Sequence, residues 1–180
     1  VEGAGRAARF VAETARAARD VRTWGPEATA QARSLGVDSL PIAVFIAVFT
    51  GIVLSLLASY SFTGAVPLYF VGTLVEKTIT MELAPVLTGL ALAGRVGANI
   101  AAELGTMRVT EQIDALETLA YDPIAYLVVP RVLAGIVMLP LLVIFANFVG
   151  VSTAGFTALT ATDITWQQFS EGLRLSYTFF

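Results

Sequence analysis

Apolar runs and short polar stretches alternate along the chain, and the apolar runs set its organisation. Pro41 to Tyr60 gives twenty residues without a charge, with only Thr50, Ser55 and Ser59 as polar side chains. As a helix it would be about 30 Å long, one hydrocarbon thickness. A second span is expected over about 83–104 and a third over about 124–150, most clearly from Val132 to Val149. Pro140 is expected to kink the third. Leu173 to Phe180 reads as the start of a fourth span, and the C-terminal spans are expected to be absent from this sequence. Between the first two spans, Ser61 to Pro67 is turn-rich. Leu68 to Val75 then fits either an extended start of the second span or a re-entrant segment.

Two stretches show a helical period with mixed polarity. In residues 1–35, Phe10, Ala17, Val21 and Trp24 fall on one face and Arg9, Arg16 and Arg19 on the other. A helix on a membrane surface fits this division, with Trp24 at the interface; a solvated helix is the alternative. Gly25-Pro26 is expected to break or bend it. After Gly105, Val109, Ile113, Leu116 and Ala120 line one face of a short amphipathic helix that ends near Tyr121-Asp122-Pro123. Its acidic positions Glu111, Asp114 and Glu117 suit either a docking surface or a solvated face.

Composition narrows the function. Hydrophobic residues make up 56% of the 180 and charged residues 14%, against roughly 25% charged in an average soluble domain. An all-α, polytopic membrane bundle follows. With no cysteine and no histidine, disulfides, thiolate chemistry, histidine acid/base catalysis and the usual zinc and haem sites are excluded. No Gly-x-x-x-x-Gly-Lys-Ser/Thr motif occurs, so ATP would have to bind another chain. Six of the eleven basic residues precede the first span, Lys77 lies between spans one and two, Arg108 and Arg131 lie between two and three, and none lies between Gly150 and Gly172. The positive-inside rule then puts the N-terminus and the amphipathic helix in the cytoplasm.

Within the second span, Gly94, Gly97 and Ala101 recur at helical spacing, where small residues let another helix come close. Thr88, Arg95 and Asn99 share a different face. An arginine in a span must face protein or water, so Arg95 either makes a polar contact that fixes the bundle or snorkels to the cytoplasmic interface.

The stretch from Glu82-Leu-Ala-Pro-Val-Leu through Ala-Gly-Arg95-Val-Gly-Ala and Ala-Glu103-Leu-Gly-Thr-Met-Arg108-Val-Thr-Glu111-Gln-Ile-Asp114-Ala-Leu to Asp122-Pro123 resembles the MlaE family. These are permease subunits of ABC transporters that move lipids in partnership with MCE-domain proteins. The resemblance implies five spans, an N-terminal interfacial helix over 1–35, a permease domain over 36–180 and a homodimer in the bacterial inner membrane. It implies a cytoplasmic coupling helix over Arg108 to Leu119, with Arg108, Glu111, Asp114 and Glu117 against an ATPase. A lipid cavity at the dimer interface is implied as well, with Leu57, Tyr60 and Glu82 as its candidate residues. The chain itself would then be no enzyme and bind no cofactor, with ATP and magnesium in the partner. Its partners would be a second copy, the ATPase, an MCE protein, phospholipid and the membrane, with no nucleic acid.

Rival classes are an ion-coupled secondary transporter, an intramembrane enzyme and a membrane scaffold. The first is disfavoured because no carboxylate is expected deep within a span and no inverted repeat is evident. The second lacks a nucleophile with a base.

Overall fold

The computed structural model describes residues 2–18, 21–61, 67–119, 121–162 and 164–178, and among them every regular element is helical. The N-terminal segment forms two helices, α1 (Glu2–Ala17) and α2 (Val21–Gly36). A 3-10 turn (Val37–Ser39) joins α2 to α3 (Leu40–Ser61). Helix α4 (Tyr69–Thr78) continues through a π turn (Ile79–Leu83) into α5 (Ala84–Val109). A short α6 (Gln112–Thr118) follows. A second π turn (Ile124–Val128) leads into α7 (Val129–Ala161), and α8 (Trp166–Thr178) comes last. Three helical runs are long and apolar enough to cross a membrane: Trp24–Ser61, Tyr69–Val109 and Ile124–Ala161. Each exceeds the ~20 residues that one hydrocarbon core requires, so each joins a span to an extension.

Prolines explain the departures from plain α-helix. A proline cannot donate to the carbonyl four residues back, and its ring crowds that carbonyl. Both π turns come just before one. Ala84 N–H reaches Ile79 O ahead of Pro85, and Val129 N–H reaches Ile124 O ahead of Pro130, each five residues back. The helix therefore widens and goes on. Asp122 Oδ1 accepts from Ile124 N–H at 2.9 Å and so caps the start of the third run. Contrary to expectation, Gly25-Pro26 does not break α2, because Pro26 lies in its second turn and removes one bond close to the start. Helix α7 carries Pro140, where a kink is expected, and is helical on both sides of it. The segment from Leu68 proves to be an extended start of the second run, whereas most of the connection read at Ser61 to Pro67 lies outside the described residues.

The chain forms two compact units, and α5 and α7 contribute residues to both. One comprises Leu40–Ala93 and Leu141–Phe180. Its core gathers Val71, Val75 and Ile79 around Phe169, with Ala47, Ala146, Ala154 and Ala158 between the helices. Glycines set its helix spacing. A Cβ on Gly51 would run into the Gly150 carbonyl, and one on Gly172 would run into the Tyr69 carbonyl. A Cβ on Gly72 would lie 2.6 Å from the Phe169 carbonyl oxygen. Helices approach this closely only where a side chain is missing, and in lipid such contact is the main source of cohesion.

The other unit comprises Val1–Ser39 and Gly94–Pro140. In it α1 and α2 both meet the π turn at 124–128. Polar side chains join its elements. Arg95 Nη1 donates to Ser39 Oγ at 2.7 Å, Arg131 Nη2 lies 2.8 Å from Glu103 Oε2, and the Tyr126 hydroxyl donates to Glu27 Oε1 at 3.2 Å.

Candidate functional site

The sharpest local feature is the corner after α5. The helix does not stop at Gly105 but runs on to Val109, so Arg108 is the last turn of α5 rather than the first of the next helix. Glu111 then adopts φ 58° and ψ 17°, a left-handed conformation that costs a residue with a Cβ about 1 kcal/mol. That single residue turns the chain, and α6 begins immediately. Arg108 Nη1 donates to Asp114 Oδ1 at 2.6 Å and clasps the two arms. Both side chains of this pair are more than half exposed, so its contribution to stability is below about 1 kcal/mol.

The four residues expected to couple therefore divide. Arg108 and Asp114 hold one another, while Glu111 and Glu117 are exposed. Ile113 and Leu116 are half-buried, and Val109 and Leu119 are left 83% and 69% exposed. The corner thus presents carboxylates beside uncovered apolar side chains.

Arg131 sits 7% exposed in α7 and reaches α5. One guanidinium nitrogen bonds the Leu127 carbonyl in the widened turn at 2.5 Å, and the other meets Glu103 of α5. Such charge-assisted bonds are the strong ones, and the burial of Arg131 makes its partner costly to lose. Arg95 meets the buried Ser39 hydroxyl, so it makes a polar contact within the chain; Asn99, one turn on, is exposed. Thr88 of the same expected face is buried in the other unit and its hydroxyl has no partner.

Gly94, Gly97 and Ala101 are exposed, and a Cβ on either glycine would meet nothing within 4 Å. Among the described residues no helix fills that face. Among the glycines that are filled, Gly51 with Gly150 and Gly72 with Gly172 come together across about a hundred residues of sequence and have no local signal.

Leu57 lines an apolar groove of about 380 Å³ with Phe49, Thr50, Val53, Leu54 and Leu83. Tyr60 is 72% exposed one turn further along α3, outside the groove wall. Glu82 is exposed in the π turn, next to the groove residue Leu83. An apolar groove with a carboxylate one residue along the chain from its wall suits an amphiphile.

A buried carboxylate lies outside the expected spans. Glu76 is a carboxylate only 4% exposed within the long second run, bonded by the Ser176 hydroxyl of α8 and, at 3.4 Å, by Thr80 Oγ1. It ties α4 to α8, and Ser176, a hundred residues along the chain, was not legible from local pattern. Among the described residues no group of three or more histidines, cysteines or carboxylates could hold a metal ion.

Comparison with known proteins joins these features. A family profile described as "Permease MlaE" matches residues 28–180. The chain is 50% identical to a probable ABC transporter permease protein of Rickettsia felis over 117 residues, 65% of this chain and 45% of that protein. It is 32% identical to the intermembrane phospholipid transport system permease protein MlaE of Haemophilus influenzae over 162 residues, 81% of this chain and 61% of that protein. It is 36% identical to protein TRIGALACTOSYLDIACYLGLYCEROL 1 of Arabidopsis thaliana over 124 residues, 69% of this chain and 35% of that protein. The match thus spans less than half of the Rickettsia relative's length. By the extent of the profile match and its membrane-capable helices, the chain belongs to the MlaE permease family.

Proposed function

We propose that this chain is the membrane-spanning subunit of an ABC transporter that moves phospholipid or a related lipid between the inner membrane and an MCE protein. Its energy would come from a separate ATPase that holds ATP and magnesium. The observation that carries the reading is the corner at Glu111, where a helix continuous from Ala84 turns on one residue into α6. A lever needs an arm and a turn, and the unbroken helix with the left-handed residue after it supports that reading. In this reading α6 is the coupling helix on the cytoplasmic side, and Glu111 and Glu117 are its contacts with the ATPase. Arg108 and Asp114 set its angle.

The remaining assignments follow the same logic. Residues 1–35 supply an interfacial helix, and residues 36–180 belong to the permease domain. The open face of Gly94, Gly97 and Ala101 receives a second copy, since small residues favour close helix contact in lipid. The groove at Leu57, with Tyr60 and Glu82 at its margin, contributes to the lipid chamber. Motion of α6 passes along α5 and changes that chamber, a rigid-element transition between two packed states. Buried Glu76 is read as a tie between α4 and α8 rather than an ion-coupling site, because hydroxyls of Ser176 and Thr80 already engage it.

The test is transfer of labelled phospholipid between proteoliposomes holding the assembled complex and a soluble MCE acceptor. The proposal expects transfer that requires ATP hydrolysis. Transfer driven by an ion gradient without ATP, or a complex that hydrolyses ATP but moves no lipid, would overturn it.

A further inference from the structure

A second apolar groove lies under α1, apart from the residues assigned to transport. Phe10, Val11 and Ala15 of α1 face Val128, Val132 and Leu133 across a space of about 340 Å³. The one hydroxyl on its wall, Thr14 Oγ1, already donates to the Phe10 carbonyl at 2.9 Å. No side chain on the wall is left to donate a hydrogen bond to an occupant, so the groove suits hydrocarbon. The protein covers this face incompletely: Phe10 is 47% exposed and Val11 65%. The main contact of α1 with its unit is the π turn at 124–128.

Charge identifies the rest of the occupant. Arg6, Arg9 and Arg16 are exposed on α1 against a single described acidic side chain, Glu13. At 100° per residue, Arg9 and Arg16 lie opposite the groove face and Arg6 lies at its flank. A plain chain beneath the helix and a cationic surface at its side and back match an anionic lipid lying alongside.

We propose that α1 and the head of α7 clamp one acyl chain of an anionic phospholipid, whose phosphate is held from the flank by Arg6 in the field of Arg9 and Arg16. This lipid is resident rather than cargo, and it secures α1, which protein contacts alone leave half uncovered. The inference rests on reading α1 as a membrane-surface helix.

The test uses the assembled transporter in nanodiscs of phosphatidylcholine with a minor share of phosphatidylglycerol. Native mass spectrometry then counts lipids retained per copy after extraction into detergent. One phosphatidylglycerol per copy is expected for the native chain. Val132→Trp, which fills the groove from α7, and Val11→Trp, which fills it from α1, should each abolish retention. Replacing Arg6, Arg9 and Arg16 with glutamine should lower the preference for phosphatidylglycerol over phosphatidylcholine by about tenfold or more. Retention unchanged in both tryptophan variants, or retention of either lipid equally by the native chain, would overturn the clamp. Because the sequence contains no cysteine, a nitroxide on an Ala8→Cys variant reports the position of α1 separately. A label that reports water overturns the surface-helix reading; one that reports membrane while no lipid is retained overturns the clamp alone.

Discussion

The two units are held together by different means. In Leu40–Ala93 with Leu141–Phe180, helices touch through glycine and alanine, and both clusters of buried apolar residues fall there. In Val1–Ser39 with Gly94–Pro140, the elements are joined by Arg95 to Ser39, Arg131 to Glu103 and Tyr126 to Glu27. Small-residue contact tolerates no added atom but needs no charge. Polar clasps tolerate changes of volume but fail when one partner is removed. The proposed docking corner belongs to the second kind, and the proposed lipid groove at Leu57 to the first.

Substitutions that add one methyl group separate the two kinds most strongly. Gly172→Ala places a Cβ against the Tyr69 carbonyl, and backbone cannot yield as a flexible side chain does. Overpacking of about 3 kcal/mol is expected, read as a lower unfolding temperature in detergent. A stability equal to the native chain would show that α4 and α8 are not so closely apposed.

Removing a clasp should cost somewhat less. Glu103→Ala leaves the buried Arg131 without its carboxylate and should destabilise by about 2 kcal/mol. Glu103→Gln keeps a neutral acceptor and should recover part of that loss in the same melt. Identical losses for the two would mean that charge is not what holds the pair.

Backbone effects come next. Glu111→Gly relieves the left-handed residue and should stabilise the corner by about 1 kcal/mol. Glu111→Val should do the reverse, as a β-branched side chain is strained there. Protection of α6 amides in hydrogen exchange measures both.

The smallest effect sharpens the contrast between glycines. Gly97→Ala meets nothing within 4 Å in the chain, so the isolated subunit should gain about 0.5–1 kcal/mol from helix propensity. In the assembled transporter the same methyl should reduce association of two copies. A neutral effect on assembly would leave that face without a partner.

How much of this could be read from residues alone depends on the range of the signal. The apolar runs and the Asp122-Pro123 boundary are local signals, and three long apolar helical runs lie over them, but the ends differ: α5 carries on past Gly105 to Val109, α7 past Gly150 to Ala161, and α8 begins at Trp166 rather than Leu173. The π turns were missed, although each precedes a proline, because helix-breaking and helix-widening share one residue signal. Pro26 and Pro140 show the converse, prolines that the helix passes without interruption. Pairs such as Gly72 with Gly172 or Glu76 with Ser176 stand about a hundred positions apart, and no periodicity marks them. The stripe that does show a period, Gly94, Gly97 and Ala101, is left unpacked by the described residues. At the corner, the residue types were legible, but the division between Arg108 with Asp114 as a clasp and Glu117 as a free carboxylate required coordinates.

That division supplies the most direct test of the lever. Glu117→Lys reverses an exposed charge on α6 without touching the Arg108–Asp114 clasp or the Glu111 turn. Co-purification of the ATPase with the membrane subunit, quantified beside the melting temperature of that subunit, reads docking apart from folding. The lever account predicts a native melting temperature with the ATPase lost. Full ATPase recovery with undiminished ATP-driven lipid transfer would contradict it.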